Sequence, residues 1–442
     1  MLKATICLRR CSISLINKMD GKRRKVFVAG VGMTKFEKPK VKDWDYPDMG
    51  KEAGLAALKD AGIPYEKVEA VVCSYNYGDP TSGQRALYEI GLSGVPVFNV
   101  NNNCSAGSSG LMMARQLIKA GHDCVMALGF EKMEGGLSET FKDRTSPVQR
   151  HMDHMVSLGA EPGLIGPGYN AMTSDVIKLF AYAAREYMEK YPGAMTFEDL
   201  VKVAYKNRKH GANNPKASLQ KPTSMKSIAN KDRIMIYPIT IGMTAMTADG
   251  GAAAIVCSEN FIQENKLENR AIEIIAQHMV TDLPSSFHKS MMDTAGYSMS
   301  KLAAEKVYKD SGLQAKDVDV IEVHDCFSCN EVFMYEAMQL VKEGEGVKLF
   351  NTAKWVNNKA GGEVCQLGGR WVVNPSGGIE SKGHPIGATG LGQCAELVSQ
   401  LRGEAEKRQV EGAKVALQHN YGIGGAAVVT MYQRPTFNTA RL

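Results

Sequence analysis

Three stretches of the chain carry side chains able to do covalent chemistry. "NVNNNCSAGSSGLMMARQLIKAG" places Cys104 at the turn between a strand end and a glycine-rich helix start. A thiol at a helix N-terminus feels the positive end of the dipole, which lowers its pKa and favours the nucleophilic thiolate. Gly107, Ser108 and Gly110 keep the first turn small, so backbone amides can approach a ligand. That context favours a nucleophile over a small buried hydrophobe. "SKGHPIGATGLGQ" places His384 between Gly383 and Pro385, with Pro385 suited to the first helical position. An imidazole there can accept a thiol proton or donate to an oxyanion; alone, it also reads as a histidine that caps a helix.

The third stretch, "VHDCFSCN" (323–330), packs His324, Asp325, Cys326 and Cys329 together. It reads as a zinc knuckle, a thiol switch or part of an active site. A zinc site needs about four ligands, usually with a second close pair. Cys73, Cys124, Cys257, Cys365 and Cys394 offer no such pair, and Cys7 and Cys11 lie in the basic N-terminal segment. A redox Cys-x-x-Cys opens a helix, and nothing else in the chain supports that trade. The stretch follows the apolar strand "DVDVIEV", so His324 and Cys326 stand at a strand end and can share a pocket with Cys104 and His384. "LQHNYGIGGAAVVTMY" reads as strand, glycine turn and final strand. The amide of Gly422, Gly424 or Gly425 can complete an oxyanion hole with that of Cys104. "HMDHM" (151–155) reads as a solvated loop, and the acid-free run "KNRKHGANNPKASLQKP" (206–222) as a basic loop open to an anionic phosphate.

The elements that must position these residues are written twice. "ALKDAGIPYEKVEAVV" (57–72) matches "VYKDSGLQAKDVDVIE" (307–322) at an offset of 250. Each reads as a helix, a glycine stop and an apolar strand. "CSAGSSGLMMARQL" (104–117) matches "HPIGATGLGQCAEL" (384–397) at an offset of 280, and "GGAAAIV" (250–256) matches "GGAAVVT" (424–430) at 174. The chain therefore holds two similar α/β halves. The second carries extra residues near 340–374, and the first an inserted lobe near 135–240. The alignment superposes Cys104 on His384. In halves related by a pseudo-twofold axis, equivalent residues near that axis face each other, so the repeat itself predicts a Cys–His encounter.

Length and composition fit a soluble protein of two to three domains. A net charge of +6 does not argue for nucleic acid but suits an anionic ligand. Scattered cysteines point to a reducing compartment, and no apolar run is long enough to span a bilayer. The first residues are basic and acid-free up to Asp20, the pattern of a mitochondrial presequence or of a disordered basic arm. Ala440-Arg441-Leu442 has the small-basic-Leu pattern of a peroxisomal address.

"NNNCSAGSSG", "GFEKM" (129–133), "GHPIGATG" and the "GIGG" before the last strand together resemble the thiolases over nearly all of 25–433. "HDCF" in place of a "NEAF"-type motif, and Gly422 in place of a second cysteine, resemble the sterol-carrier-protein-type thiolases. The resemblance implies two duplicated βαβαβαββ halves in five α-β-α-β-α layers. The first half would span 25–135 and 240–267, the inserted loop domain 136–239 and the second half 268–433. A segment 1–24 would precede them and a tail 434–442 would follow, with no sterol-carrier domain. It implies thiolytic cleavage of a 3-ketoacyl-CoA to acetyl-CoA or propionyl-CoA in lipid metabolism and β-oxidation. Cys104 would be acylated, His384 would activate it, and Cys326 would serve as acid and base. His324 would order an oxyanion-stabilising group, and the amides of Cys104 and Gly424 would form an oxyanion hole. Coenzyme A would be a co-substrate held by the loop domain near Lys206, Arg208 and Lys209, with no metal and no permanently bound cofactor. The family rule is a homodimer. The competing readings are a condensing synthase on the same fold and a catalytically silent acyl-CoA-binding protein.

Overall fold

The computed structural model describes residues 24–134, 143–160 and 175–437. The N-terminal targeting segment and the Ala440-Arg441-Leu442 tripeptide lie outside the described residues.

The first half begins with β1 (Val26–Met33), then α1 (Tyr46–Ala61), β2 (Ala70–Ser74), β3 (Val97–Val100), α2 (Ala106–Ala120) and β4 (Cys124–Glu131). The inserted lobe supplies α3 (Gln149–Ser157), α4 (Asp175–Lys190) and α5 (Phe197–Gly211), and β5 (Gly250–Ser258) returns to the first half. The second half runs β6 (Ile272–Val280), α6 (Tyr297–Ser311), β7 (Val320–Glu322) and α7 (Ser328–Ala337). The hairpin β8 (Lys354–Asn357) and β9 (Glu363–Leu367) then leads into β10 (Trp371–Val373). α8 (Gly378–Lys382), α9 (Thr389–Arg402), β11 (Val415–Gly422) and β12 (Ala426–Gln433) complete it.

The repeats seen in the sequence are repeats of fold. α1 ends at Gly62 (φ 71°) and α6 at Gly312 (φ 73°), the left-handed position that favours glycine, and each is followed by a short helical turn and a buried strand. The strand order β3-β2-β4-β5-β1 of the first half recurs as β10-β7-β11-β12-β6 in the second. The parallel and antiparallel senses agree as well. The halves meet where β1 pairs with β6 through Phe27–Glu273 and Val28–Ile272, so one twelve-stranded hydrogen-bonded ladder runs through both. The extra residues of the second half form the β8–β9 hairpin at its outer edge.

The middle layer is made by α2 and α9. Leu111, Ala114 and Ile118 of α2 share one apolar cluster with Leu391, Leu397 and Leu401 of α9, covered by strands of both halves. The two helices touch through glycine. A Cβ on Gly390 would stand 2.2 Å from Ser108 Oγ, and one on Gly107 would stand 3.0 Å from Gly387 O. This is the contact that brings the two equivalent turns, and hence Cys104 and His384, together. Among the described residues no helix is long and apolar enough to cross a membrane.

Candidate active site

A cavity of about 310 Å³ opens where the turns of the two halves meet. Cys104, His324, Cys326 and His384 all line it, with Phe180, Phe327 and Tyr421 forming an apolar wall. Cys104 Sγ and one ring nitrogen each of His324 and His384 lie within 4.8 Å of one another. The Cys–His encounter predicted from the repeat is therefore present.

Cys104 sits two residues before α2, after Asn103 in a left-handed conformation (φ 51°). The expected lowering of its pKa by the helix is overridden. Burial pushes the thiol up to about 12, against the opposing pull of its own amide and that of Ile423. Desolvation of the anion outweighs these two amide donors. Burial thus favours the thiol as the resting form. The N–H groups that bear on its sulfur are its own and that of Ile423, which lines the cavity; Gly424, the expected partner, follows Ile423 in the same turn. Gly422 is required sterically: a Cβ there would stand 2.0 Å from Asn102 O and 2.6 Å from Ser105 Oγ.

The contacts of His384 suit one tautomer. Thr389 Oγ1 stands 3.0 Å from Pro385 O and 2.7 Å from His384 Nδ1. With its hydrogen on the carbonyl, the hydroxyl accepts from an Nδ1–H. Nε2 is bare, buried and without a partner, a lone pair held for the cavity. Burial pushes this imidazole down to about 3, so it rests neutral. His384 follows α8, and its backbone N–H donates to Met246 O at 2.8 Å.

β7 leads into His324, Asp325 and Cys326, and Ser328 opens α7. Burial raises Cys326 well above the ordinary thiol value, with Cys104 the next contribution. Its carbonyl accepts from Ala245 N at 2.9 Å, which ties it to the same 244–247 wall that holds His384. Asp325 points away from the cavity and accepts from Ile379 N at 2.8 Å at the start of α8. Cys329 is buried against Phe180 O at 3.7 Å and has no place in the cavity. The two-residue spacing of the cysteines is thus incidental.

Glu131, from "GFEKM", joins the halves beneath Cys104. It accepts from Asn76 N, Tyr77 N and Gly387 N at 3.0 Å each. These donors favour a carboxylate, but burial outweighs them and raises the group to about 7.

The basic run is corrected. α5 carries Lys206 and Arg208 inward: Lys206 pairs with Glu331 and donates to Val373 O, and Arg208 donates to Glu380 O and Gly242 O. Lys209 pairs with Glu363 at 2.8 Å and lies over Trp355. Lys206 and Arg208 are buried and spent on internal partners, so neither can meet a phosphate. "HMDHM" is corrected too: it lies on α3, and His151 is buried with Nε2 3.0 Å from Asp282. The sequence reading passed over Thr389, Ile423 and Asn420, although each stands inside a quoted motif; their roles depend on contacts made across the two halves.

The chain resembles known proteins over most of its length. Residues 26–243 match the thiolase N-terminal domain and 283–433 the thiolase C-terminal domain-like family. Sterol carrier protein 2 of Bos taurus is 50% identical over 95% of this chain and 74% of its own length. The benzoylsuccinyl-CoA thiolase subunit BbsB of Thauera aromatica is 31% identical over 93% of this chain and 98% of its own. The fold matches human mitochondrial 3-ketoacyl-CoA thiolase with a TM-score of 0.65 and 19% identity, over 93% of this chain and 98% of that one. The chain belongs to the thiolase family.

Proposed function

We propose that this protein cleaves 3-ketoacyl-CoA with coenzyme A. The observation that carries this is the convergence of a buried thiol, an imidazole with a bare nitrogen and a second thiol on one cavity. His384 Nε2 takes the Cys104 proton as the sulfur attacks the C3 carbonyl. The amides of Cys104 and Ile423 face the oxyanion that forms there. The C2–C3 bond then breaks, leaving an acyl thioester on Cys104 and the enolate of the departing CoA thioester. His324 and the newly charged His384 donate to the enolate oxygen, and the Cys326 thiol gives its proton to C2. Coenzyme A enters, loses its thiol proton to the Cys326 sulfur and attacks the thioester. Cys104 leaves and recovers its proton from His384. No metal or permanently bound cofactor takes part in these steps.

The thiol and the imidazole rest neutral, because one is pushed up to about 12 and the other down to about 3. Charge separates only when substrate supplies an oxyanion to stabilise, which protects the enzyme from idle reactivity. The residues 244–247 that wall the cavity follow an exposed basic stretch of the inserted lobe holding Lys221, Lys226, Lys231 and Arg233. These replace Lys206 and Arg208 as the cations for the CoA phosphates. β3 ends the ladder with Phe98 37% exposed, near Leu92 at 81%. An open strand edge with apolar neighbours fits self-association, so the active form is a homodimer paired through β3. The N-terminal segment directs the protein to the mitochondrial matrix, or the C-terminal tripeptide to peroxisomes.

The test is CoA-dependent loss of 3-ketoacyl-CoA absorbance across chain lengths, including 2-methyl-branched substrates. Running the reaction from acyl-CoA and acetyl-CoA distinguishes a condensing enzyme. Binding of CoA with no acyl-enzyme and no turnover would return the protein to a silent acyl-CoA carrier.

A further inference from the structure

Behind the cavity runs a chain of amides and hydroxyls whose direction can be deduced. A carbonyl oxygen only accepts, so the Gln418 atom 2.7 Å from Gly390 O is its nitrogen. Gln418 Nε2 also donates to Ser108 Oγ at 2.9 Å, and its Oε1 accepts from Tyr432 OH. Ser108, having accepted, turns its own hydrogen to Asn420 Oδ1 at 2.8 Å. Cys104 O fixes the Asn420 amide in the same way, with Nδ2 at 3.1 Å. The second Nδ2 hydrogen therefore points at His324 Nδ1, 3.2 Å away. Gln418, Ser108 and Asn420 are fully buried, so water cannot rearrange these bonds.

A neutral imidazole has one proton. Burial, then His384 and His419, keeps His324 well below the usual histidine value, so it rests neutral. With Nδ1 accepting, the proton must sit on Nε2. We propose that Asn420, oriented by Gln418 and Ser108, is a positioning residue that locks His324 as an Nε2–H donor. The lock has two consequences. His324 enters the reaction as a hydrogen-bond donor and never as a competing base for Cys104. It also closes a metal site, because Cys104, His324 and His384 have the spacing of three ligands yet only one of the two rings offers a lone pair. Ser108 comes from the first half and Asn420 from the second, so the lock exists only when the halves are docked.

The second consequence is independent of substrate; the first rests on the thiolase reading. The direct test is nitrogen NMR of the free native enzyme labelled at histidine, with His324 assigned by the signal lost in His324→Asn. Its Nε2 should carry the proton and its Nδ1 should not; an Nδ1–H signal overturns the proposal whether or not the protein proves to be a thiolase. Asn420→Asp reverses the bond, since a carboxylate accepts where the amide donates. It should move the proton to Nδ1 and lower kcat about 10²–10³-fold, as loss of an oxyanion donor does, with the KM for CoA nearly unchanged. It should also make the free enzyme about 10–100-fold more sensitive to zinc chloride, the range for changing a partner behind a metal ligand. A folded Asn420→Asp protein that loses activity but keeps the Nε2–H form and the parent's zinc response would reduce Asn420 to packing and end the proposal.

Discussion

The turns at Cys104 and His384 are the same piece of architecture used twice. Each opens a middle-layer helix, α2 or α9, and each touches the other through glycine. Burial acts on them in opposite directions: it raises the thiol to about 12 and lowers the imidazole to about 3. Both end neutral because a buried charge is penalised whatever its sign. The repeat thus sets the geometry: matched positions of the two halves carry a thiol and an imidazole that face one cavity. The rest of the asymmetry lies around them. Gly422 has no room for a Cβ, and the second sulfur comes instead from Cys326 beyond β7.

If that division of labour is right, Cys104→Ala should lower thiolysis at least about 10⁴-fold, the scale of losing a nucleophile. His384→Asn should cost about 10²–10⁴-fold in kcat, the range of one general base, and should slow acylation of Cys104 itself. Cys326→Ala should cost a similar factor but leave Cys104 reactive towards an alkylating acyl-CoA analogue. A Cys326 variant that also loses that reactivity would merge the two sulfurs into one role. The buried ion pairs outside the cavity should affect stability instead. Lys206→Met strands Glu331 in the interior and should destabilise the fold by ~3–5 kcal/mol in urea titrations.

The smallest effect concerns pH. Glu131 is raised from 4.5 to about 7, so the folded chain holds a proton that the unfolded chain has released. Its contribution to stability is therefore greatest at low pH and declines as pH rises through that window. Glu131→Gln should remove the decline, changing the stability difference between variant and parent by ~3 kcal/mol between about pH 4.5 and 7. A constant difference across that range would mean that its backbone donors win over burial.

Much of this was legible in the sequence, for identifiable reasons. The repeats carried the halves and the meeting of Cys104 with His384, because backbone duplication leaves glycines and apolar runs at fixed offsets. The "HDCF" stretch could be placed because a strand visibly precedes it. What failed was the fate of polar groups with distant partners. Lys206 and Arg208 read as solvated until Glu331 and Glu380, more than a hundred residues away, are seen to face them. His151 read as a loop residue for the same reason, its partner being Asp282. The raised pKa of Cys104 is not legible in the sequence, because helix position is local whereas burial depends on the whole packing.

The central claim is that Cys104 receives the acyl group. Mixing the enzyme with a 3-ketoacyl-CoA without free CoA, quenching in acid and mapping peptides by mass spectrometry tests it directly. An acyl mass on the peptide containing Cys104, discharged by added CoA, is the predicted result. An adduct on the Cys326 peptide instead, or turnover with Cys104 unmodified throughout, would contradict it.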